Sequence, residues 1–147
     1  MIEVHKTLAS SFADPADVAA FRRCKARKSH RTKAGKLVIH TDKYCFSCGD
    51  NGVGCWGDDT TAPEPVCALP PDDMIARWGS IEAAKHRLVL VTANKRNVVC
   101  KLADRMPWKR NIRNGCGIDL NPEACSRLGL TPPIKVTALW SWMEEQA

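Results

Sequence analysis

The segment from Val89 to Leu130 limits the possible folds of this chain most strongly. An apolar run at 88–91 precedes a polar turn at 94–97, and a second β-branched run follows at 98–100. Two such runs joined by a short polar turn are typical of a β-hairpin. We therefore expect two antiparallel strands at the start of this segment.

The end of the segment predicts a strand followed by a capped helix. Asn-Pro-Glu at 121–123 supplies a cap residue, a proline in the first turn and an acid near the positive helix end. Gly129 is typical of the residue that follows a helix C-terminus. Asp119 comes just before this helix, and Asp104 comes just after the hairpin. Both carboxylates are therefore expected on rigid elements of a compact β domain.

The order of four short motifs resembles that of the double-psi β-barrel proteins. The motifs are Val91-Thr92-Ala93-Asn94, Asp104-Arg105-Met106-Pro107, Ile118-Asp119-Leu120-Asn121 and a helix that ends in Leu128-Gly129. They are most similar to those of the rare lipoprotein A group of bacterial peptidoglycan lytic transglycosylases. In that group a strand ending in Val-Thr-Asn precedes a second strand, Asp-Arg-Gly-Pro, Ile-Asp-Leu-Ser and a short helix. Expansins, barwin-like proteins and some inverting endoglucanases share the barrel.

The resemblance covers roughly residues 37–139 and implies a fold. We expect a mainly β chain that forms a six-stranded double-psi β-barrel with short helices. The first strand is expected at Lys36–Thr41 and the closing strand at Ile134–Leu139. Residues 1–35 are expected to form an N-terminal helical, basic extension, and residues 36–147 the barrel domain.

The resemblance also implies cleavage of the glycan of bacterial peptidoglycan. In related enzymes an aspartate at the place of Asp119 acts as the acid, and the rare lipoprotein A group needs one at the place of Asp104. Both are therefore candidate catalytic residues for general acid/base cleavage of a glycosidic bond. A lytic transglycosylase works with one acid/base, because the 6-hydroxyl of the substrate replaces water as the nucleophile.

Each aspartate also has a structural interpretation. Asp119 would only satisfy backbone N–H groups at the start of the following helix. Asp104 would only form an ion pair with Arg105 or Arg113, since perturbed carboxylates are often structural.

Three candidate substrate contacts lie in or near the Gly-rich segment 49–57. By the resemblance, Tyr44 and Trp56 fit the strand and the Gly-rich loop that lie beside the groove. Trp56 would either stack on a sugar, because an aromatic face packs on the apolar face of a pyranose, or only cover the edge of the core. Asp58, Asp59 and Glu64 are candidates for the loop carboxylate of the rare lipoprotein A group. In that group a Glu and a His stand shortly before Leu-Pro, whereas this chain has Val66 and Cys67 in that neighbourhood.

Three more candidate contacts follow Asp104 in the chain. By the same resemblance, Arg105 and Lys109 are expected to hold carboxylates of the substrate. Trp108 is expected to line the groove.

Eight cysteines in 147 residues is a high count for one domain. An even number in a small β domain favours disulfides formed in an oxidising compartment. By resemblance to expansins, Cys100 is expected to pair with Cys116. Unpaired core thiols are one alternative, and a zinc site is the other. The four possible zinc ligands are Cys45, Cys48, Cys55 and Cys67. No other cofactor is expected.

Basic residues are concentrated between Arg22 and Lys36, and the chain has a net charge of +6. Such a run suits an anionic partner, either nucleic acid or an acidic envelope polymer, but it is also typical of a solvated helix face. No aromatic residue interrupts the run. The pattern therefore does not favour sequence-specific nucleic-acid binding.

The expected core consists of the apolar positions of these strands and helices, including Ile75, Val99 and Leu139. Trp140 and Trp142 lie on one face of an extended C-terminal strand. They are expected to pack over the N-terminal helix rather than dock on a partner, because large aromatics near an element end are usually buried.

The sequence contains no apolar run of transmembrane length, and its first residues lack the apolar segment of a secretory signal. Either the sequence is that of the mature protein, or a phage particle or secretion apparatus delivers it. We therefore expect a periplasmic, extracellular or virion-associated protein, with peptidoglycan or a related polysaccharide and proteins of such an assembly as candidate partners. Three functions are compatible with the sequence: a peptidoglycan-cleaving enzyme, a non-catalytic polysaccharide-binding or expansin-like module, and a structural or zinc-binding component.

Overall fold

A computed structural model of the chain describes residues 2–25, 29–39 and 50–143. The strands in this part are β1 (His5–Ser11), β2 (Ser29–Arg31), β3 (Leu37–Ile39), β4 (Val66–Leu69), β5 (Leu88–Ala93), β6 (Arg96–Arg105), β7 (Cys116–Leu120) and β8 (Lys135–Trp142). The helices are α1 (Pro15–Lys25), α2 (Pro71–Trp78), α3 (Ile81–Ala84) and α4 (Pro122–Arg127), with a 3₁₀ turn at Lys109–Asn111.

Six strands form a closed barrel in the order β1-β7-β4-β6-β5-β8. The pairs β1–β7 and β4–β6 are parallel, and the other four neighbouring pairs are antiparallel. Closure removes the free strand edges that would otherwise expose unpaired backbone groups. The expected mainly β fold, with a six-stranded barrel and short helices, is therefore confirmed.

The first barrel strand lies much earlier in the chain than expected. β1 pairs with both β7 and β8, so the barrel begins upstream of residue 36. The expectation of a first barrel strand at Lys36–Thr41 is wrong, because β3 pairs with β2 in a separate two-stranded sheet. Residues 40 and 41 lie outside the described residues. β1 shows little apolar alternation because only the small Ala9 is fully buried.

The expected hairpin is confirmed as β5 and β6, joined at Asn94 and Lys95. Both turn residues have positive φ, 52° and 60°, as hairpin turns of two residues require. The expectation that Val99 is buried is wrong, because it is 42% exposed. The register pairs Val98 with Val91 and Cys100 with Val89, so Val98, Cys100 and Leu102 of β6 face the core. Ile75 and Leu139 are also exposed, contrary to expectation.

The two C-terminal tryptophans are buried, as expected, but their rings pack on α2 and β1 instead of the N-terminal helix α1. The ring of Trp142 meets that of Trp78 edge to face, with centroids 5.7 Å apart. The ring of Trp140 stacks on His5 of β1, with centroids 4.0 Å apart and an interplanar angle of 10°. Through these contacts both α2 and the start of β1 pack against β8.

The expected disulfide between Cys100 and Cys116 is wrong, because both thiols are free and buried. Cys100 lies on β6 and Cys116 on β7, and β4 stands between these two strands in the barrel. Cys55, Cys67 and Cys125 are also free among the described cysteines.

Asn121 is a fully buried polar side chain that joins three parts of the fold. Its Oδ1 accepts hydrogen bonds from the backbone N–H groups of Val66 and Ala124, both near 3 Å. Its Nδ2 donates to the carbonyl groups of Thr60 and Glu64. The side chain therefore caps α4, as expected, and also fixes β4 and the preceding loop.

Replacing Asn121 with alanine is expected to lower the free energy of unfolding by about 3–5 kcal/mol. The change removes a helix cap, worth about 1 kcal/mol, and leaves several buried backbone groups unpaired at about 1–3 kcal/mol each. Urea denaturation measures the loss, with the exposed Asn111→Ala as the control. A loss below 1 kcal/mol would contradict this role.

Candidate active site

Asp119 lies on β7 at the point where this strand meets two others. It stands opposite Ser10 of β1 and opposite Ala68 of β4. The side chains of Ile118 and Leu120 face the core, so strand alternation directs Asp119 away from the core. The Ser10 hydroxyl donates a hydrogen bond to Asp119 Oδ1.

The environment of Asp119 raises its pKa to about 6. Burial is the main cause, because it penalises the charged form. The negative charges of Asp104, Asp14 and Asp50 raise the pKa further, whereas the hydrogen bond from Ser10 lowers it. Asp119 therefore gains and loses its proton in the pH range that general acid/base catalysis uses.

Asp104 stands at the end of β6 and is held by backbone amides. Its Oδ1 accepts hydrogen bonds from the N–H groups of Cys55 and Arg105 at 2.9 and 2.8 Å. Burial raises the pKa of Asp104 and these amides lower it, while the charge of Asp50 raises it. Among the described residues Asp104 forms no ion pair with Arg105 or Arg113, so the structural interpretation as an ion pair is not supported.

A glycine lets the loop before β4 approach Asp104. A Cβ at Gly54 would lie 2.0 Å from the carbonyl oxygen of Ala103, a distance that no side chain tolerates. The loop therefore packs against the β6 backbone only with glycine at this position. This packing brings the amide of Cys55 to the Asp104 carboxylate.

Sequence reasoning missed three residues around Asp119: Ser10, Asp14 and Asp50. Asp14 accepts a hydrogen bond from Ser11, and burial raises its pKa. The Asp50 carboxylate accepts hydrogen bonds from the backbone N–H groups of Ala13 and Gly52. In the sequence, Asp14 reads as a residue before a helix and Asp50 as part of a Gly-rich loop. Only the tertiary fold places their charges near Asp119.

Asp119 lines a cleft of about 410 Å³, here called the Asp119 cleft. Ser10, Met106, Pro107, Ile112 and Arg113 also line it. The cleft thus lies between Met106 and Pro107, which follow β6, and Asp119 on β7. It is large enough to admit part of an extended ligand.

The candidate contacts that follow Asp104 are divided between two places. Arg105 is exposed beside Asp104, and the Trp108 ring has the Arg110 guanidinium 5.7 Å from its centroid. Lys109 lines a neighbouring cleft instead of the Asp119 cleft. Its Nζ forms an ion pair with Asp73 at 2.8 Å.

Trp56 and Asp58, the candidate contacts in the loop before β4, both contact His86. Asp58 contacts His86 Nε2 at 2.8 Å and Lys101 Nζ at 3.3 Å. Burial opposes ionisation of Asp58, but these two partners outweigh burial and lower its pKa. The Trp56 ring packs on the core and meets the His86 ring edge to face. Asp58 is therefore an ionised, paired carboxylate, and sequence reasoning missed His86 as its partner.

Tyr44 and two of the possible zinc ligands, Cys45 and Cys48, lie outside the described residues. Of the other two, Cys55 is exposed on the loop and Cys67 is fully buried in the core. Burial, followed by the charge of Asp104, raises the pKa of Cys55 to about 11. Among the described residues, no three His, Cys, Asp or Glu side chains form a group that could hold a metal ion.

In the described part of the chain, no helix combines the length and apolar character needed to cross a membrane. No family model and no curated protein sequence matches this chain.

Replacing Asp119 with asparagine is expected to stabilise the fold at pH 7.5. Because the folded-state pKa is raised, the wild type loses stability as the pH rises from about 4 to 6, where the buried group ionises. The asparagine variant avoids this cost, which amounts to roughly 3 kcal/mol at about 1.4 kcal/mol per pKa unit. Denaturation at pH 7.5 and pH 4 measures the difference, which should vanish at pH 4.

Asp59→Asn is the control of opposite sign, because hydrogen bonds from Thr61 lower the pKa of Asp59. It should lose stability at pH 7.5 and keep most of that loss at pH 4, because the contribution of Asp59 disappears only as the pH falls below its ordinary pKa and through the lowered folded-state pKa. If Asp119→Asn and the wild type are equally stable at pH 7.5, ionisation of Asp119 does not lower the stability of the folded protein.

Proposed function

We propose that the barrel is a double-psi β-barrel that cleaves the glycan strands of peptidoglycan as a lytic transglycosylase. The main supporting observation is Asp119, a largely buried carboxyl group with a pKa of about 6 on the wall of an open cleft. The mixed barrel, with its two parallel strand pairs, is compatible with the family that the motifs resemble.

In the proposed reaction Asp119 acts first as an acid and then as a base. Its proton passes to the leaving glycosidic oxygen as the bond from that oxygen to C1 breaks. The 6-hydroxyl oxygen of the same sugar then forms a bond to C1. The hydroxyl proton passes to the Asp119 carboxylate, which restores the acid. This sequence consumes no water and needs no second catalytic carboxylate.

Asp104 has a different proposed role. Burial raises the pKa of Asp104, although two backbone amides bind its carboxylate and favour the charged form. Asp104 does not line the Asp119 cleft, so it is less suited than Asp119 to deliver a proton. Its negative charge raises the pKa of Asp119 and would also favour the positive charge that develops on the sugar ring. Asp104 is therefore a positioning and electrostatic residue in this proposal.

The second candidate function is a non-catalytic polysaccharide-binding module, either expansin-like or part of a phage tail or secretion assembly. The paired state of Asp58 favours this alternative, because the candidate loop carboxylate is occupied by His86 and Lys101. Under either proposal the substrate would place the working protein in the periplasm, outside the cell or in a virion.

Incubation with purified peptidoglycan sacculi tests the enzyme proposal. Mass analysis of the soluble products is expected to find anhydro-muropeptides for the wild type. Asp119→Asn should reduce them at least 100-fold, as expected for loss of a general acid/base. The exposed Asp17→Asn is the matched control and should retain activity.

Products with a free reducing end would contradict the transglycosylase reaction and indicate hydrolysis. If the wild type binds the sacculi but releases no product, the barrel is a binding module.

The pH dependence of cleavage tests the role of Ser10. Activity should fall above about pH 6, because Asp119 then loses the proton that the leaving oxygen needs. Ser10→Ala removes a hydrogen bond that lowers the Asp119 pKa, so the alkaline limb should move to higher pH. Rates measured from pH 4 to 9 give the shift. If the alkaline limb of the pH–rate profile is the same in Ser10→Ala and the wild type, the contact between Ser10 and the catalytic acid is contradicted.

A further inference from the structure

The outer face of four neighbouring barrel strands carries much of the exposed apolar surface. Nine large apolar side chains are exposed in the described part of the chain, and five of them lie on or directly beside β6, β5, β8 and β1. Single exposed apolar residues are normal, whereas a concentration on one face marks an interaction site. The outer patch is defined here as these five residues and the half-buried Leu90: Val4, Leu88, Leu90, Val99, Leu139 and Met143.

The strand register makes the outer patch continuous. Leu90 of β5 lies between Val99 of β6 and Ser141 of β8 in one row across the sheet. Met143 follows β8, and its backbone N–H group donates to the carbonyl group of Leu88. Ser141 faces outward but is only 8% exposed, because larger side chains surround it. The four strands span roughly 14 Å, since neighbouring strands lie about 4.8 Å apart.

Charges of opposite sign lie at two diagonal corners of the outer patch. Lys6 of β1 is exposed and pairs with Leu139 at one corner. Lys101 of β6 lies at the opposite corner, where its ammonium group forms ion pairs with Asp58 and Glu64. Glu64 is 50% exposed, so this corner presents a carboxylate to solvent. An apolar centre with a charged rim is typical of a protein–protein interface.

We propose that the outer patch is the interface of a symmetric homodimer. A two-fold axis sets one surface against itself, so each contact between two residues occurs twice. If the strands of the two copies cross at about 90°, as in orthogonal sheet packing, the diagonal corners meet. Lys6 of each copy then contacts Glu64 of the partner subunit, and the two apolar centres cover each other. The patch supplies both halves of this charge pair, which makes a second copy its best occupant.

The proposed dimer leaves the Asp119 cleft open. β5 and β7 stand three places apart in the six-stranded barrel, so the outer patch and Asp119 lie on opposite sides. Dimer formation is therefore independent of the proposed reaction, and each copy keeps its own site.

Sedimentation velocity of the full chain over about a hundredfold range of concentration tests the proposal. The wild type is expected to change from monomer to dimer as the concentration rises. Leu139→Lys should raise the dissociation constant at least tenfold, because it places an unpaired ammonium group in the apolar centre. Ile75→Lys is the matched control, since Ile75 is also 39% exposed but lies on α2. It should leave the dissociation constant unchanged.

A charge exchange tests the same interface without touching its apolar centre, and it decides the matter if Leu139→Lys does not fold. Lys6→Glu and Glu64→Lys should each weaken the dimer roughly tenfold, because the two-fold axis repeats the repulsive contact. The double variant should restore wild-type association.

Three results would overturn the inference. The first is a wild type that stays monomeric at every concentration. The second is an equal effect of Leu139→Lys and Ile75→Lys on association. The third is a double charge variant that dimerises no better than the single variants.

Discussion

The parallel pairing of β1 with β7 closes the barrel and sets Ser10 opposite Asp119. Without β1, both β7 and β8 would have free edges, which sheet proteins usually cover or avoid. A shift of β1 by one residue would put Ser10 in the place of the fully buried Ala9, so the register is strongly specified. Closure of the barrel, burial of Asp119 and its contact with Ser10 therefore depend on the same strand pair.

The carboxylates near the β1–β7 strand pair lower the free energy of unfolding, whereas the apolar core raises it. The charges of Asp14, Asp50 and Asp104 all raise the pKa of Asp119, and burial raises it more. A buried group that is costly to ionise lowers the stability of the fold near neutral pH. Such arrangements are concentrated at functional sites, where the shifted pKa is what the chemistry needs. The buried hydrogen bonds of Asn121 and the apolar barrel interior stabilise the scaffold against this cost.

Local patterns predicted the elements that local chemistry determines. The β5–β6 hairpin and the cap of α4 at Asn121 carry strong turn and capping signals, and both are confirmed. The sequence did not predict β1, because its polar residues face solvent or the clefts and give no apolar alternation. The strand is recognised only by its pairing with β7 and β8. Val99 of β6 was placed in the core instead of Val98, because the two residues are equally apolar and only the register distinguishes them. The surroundings of Asp119 could not be predicted, since Asp14 and Asp50 approach it through the tertiary fold.

The pKa of Asp119 in the folded protein is the quantity on which the proposed mechanism depends. It can be measured by following the side-chain carboxyl carbon by NMR as the pH changes, with Asp119→Asn identifying the signal. We predict a midpoint of about 6, and a lower midpoint in Asp104→Asn because that variant removes a neighbouring negative charge. A midpoint near 4, the ordinary value for an aspartate, would contradict a buried acid at this position and the catalytic role proposed for it.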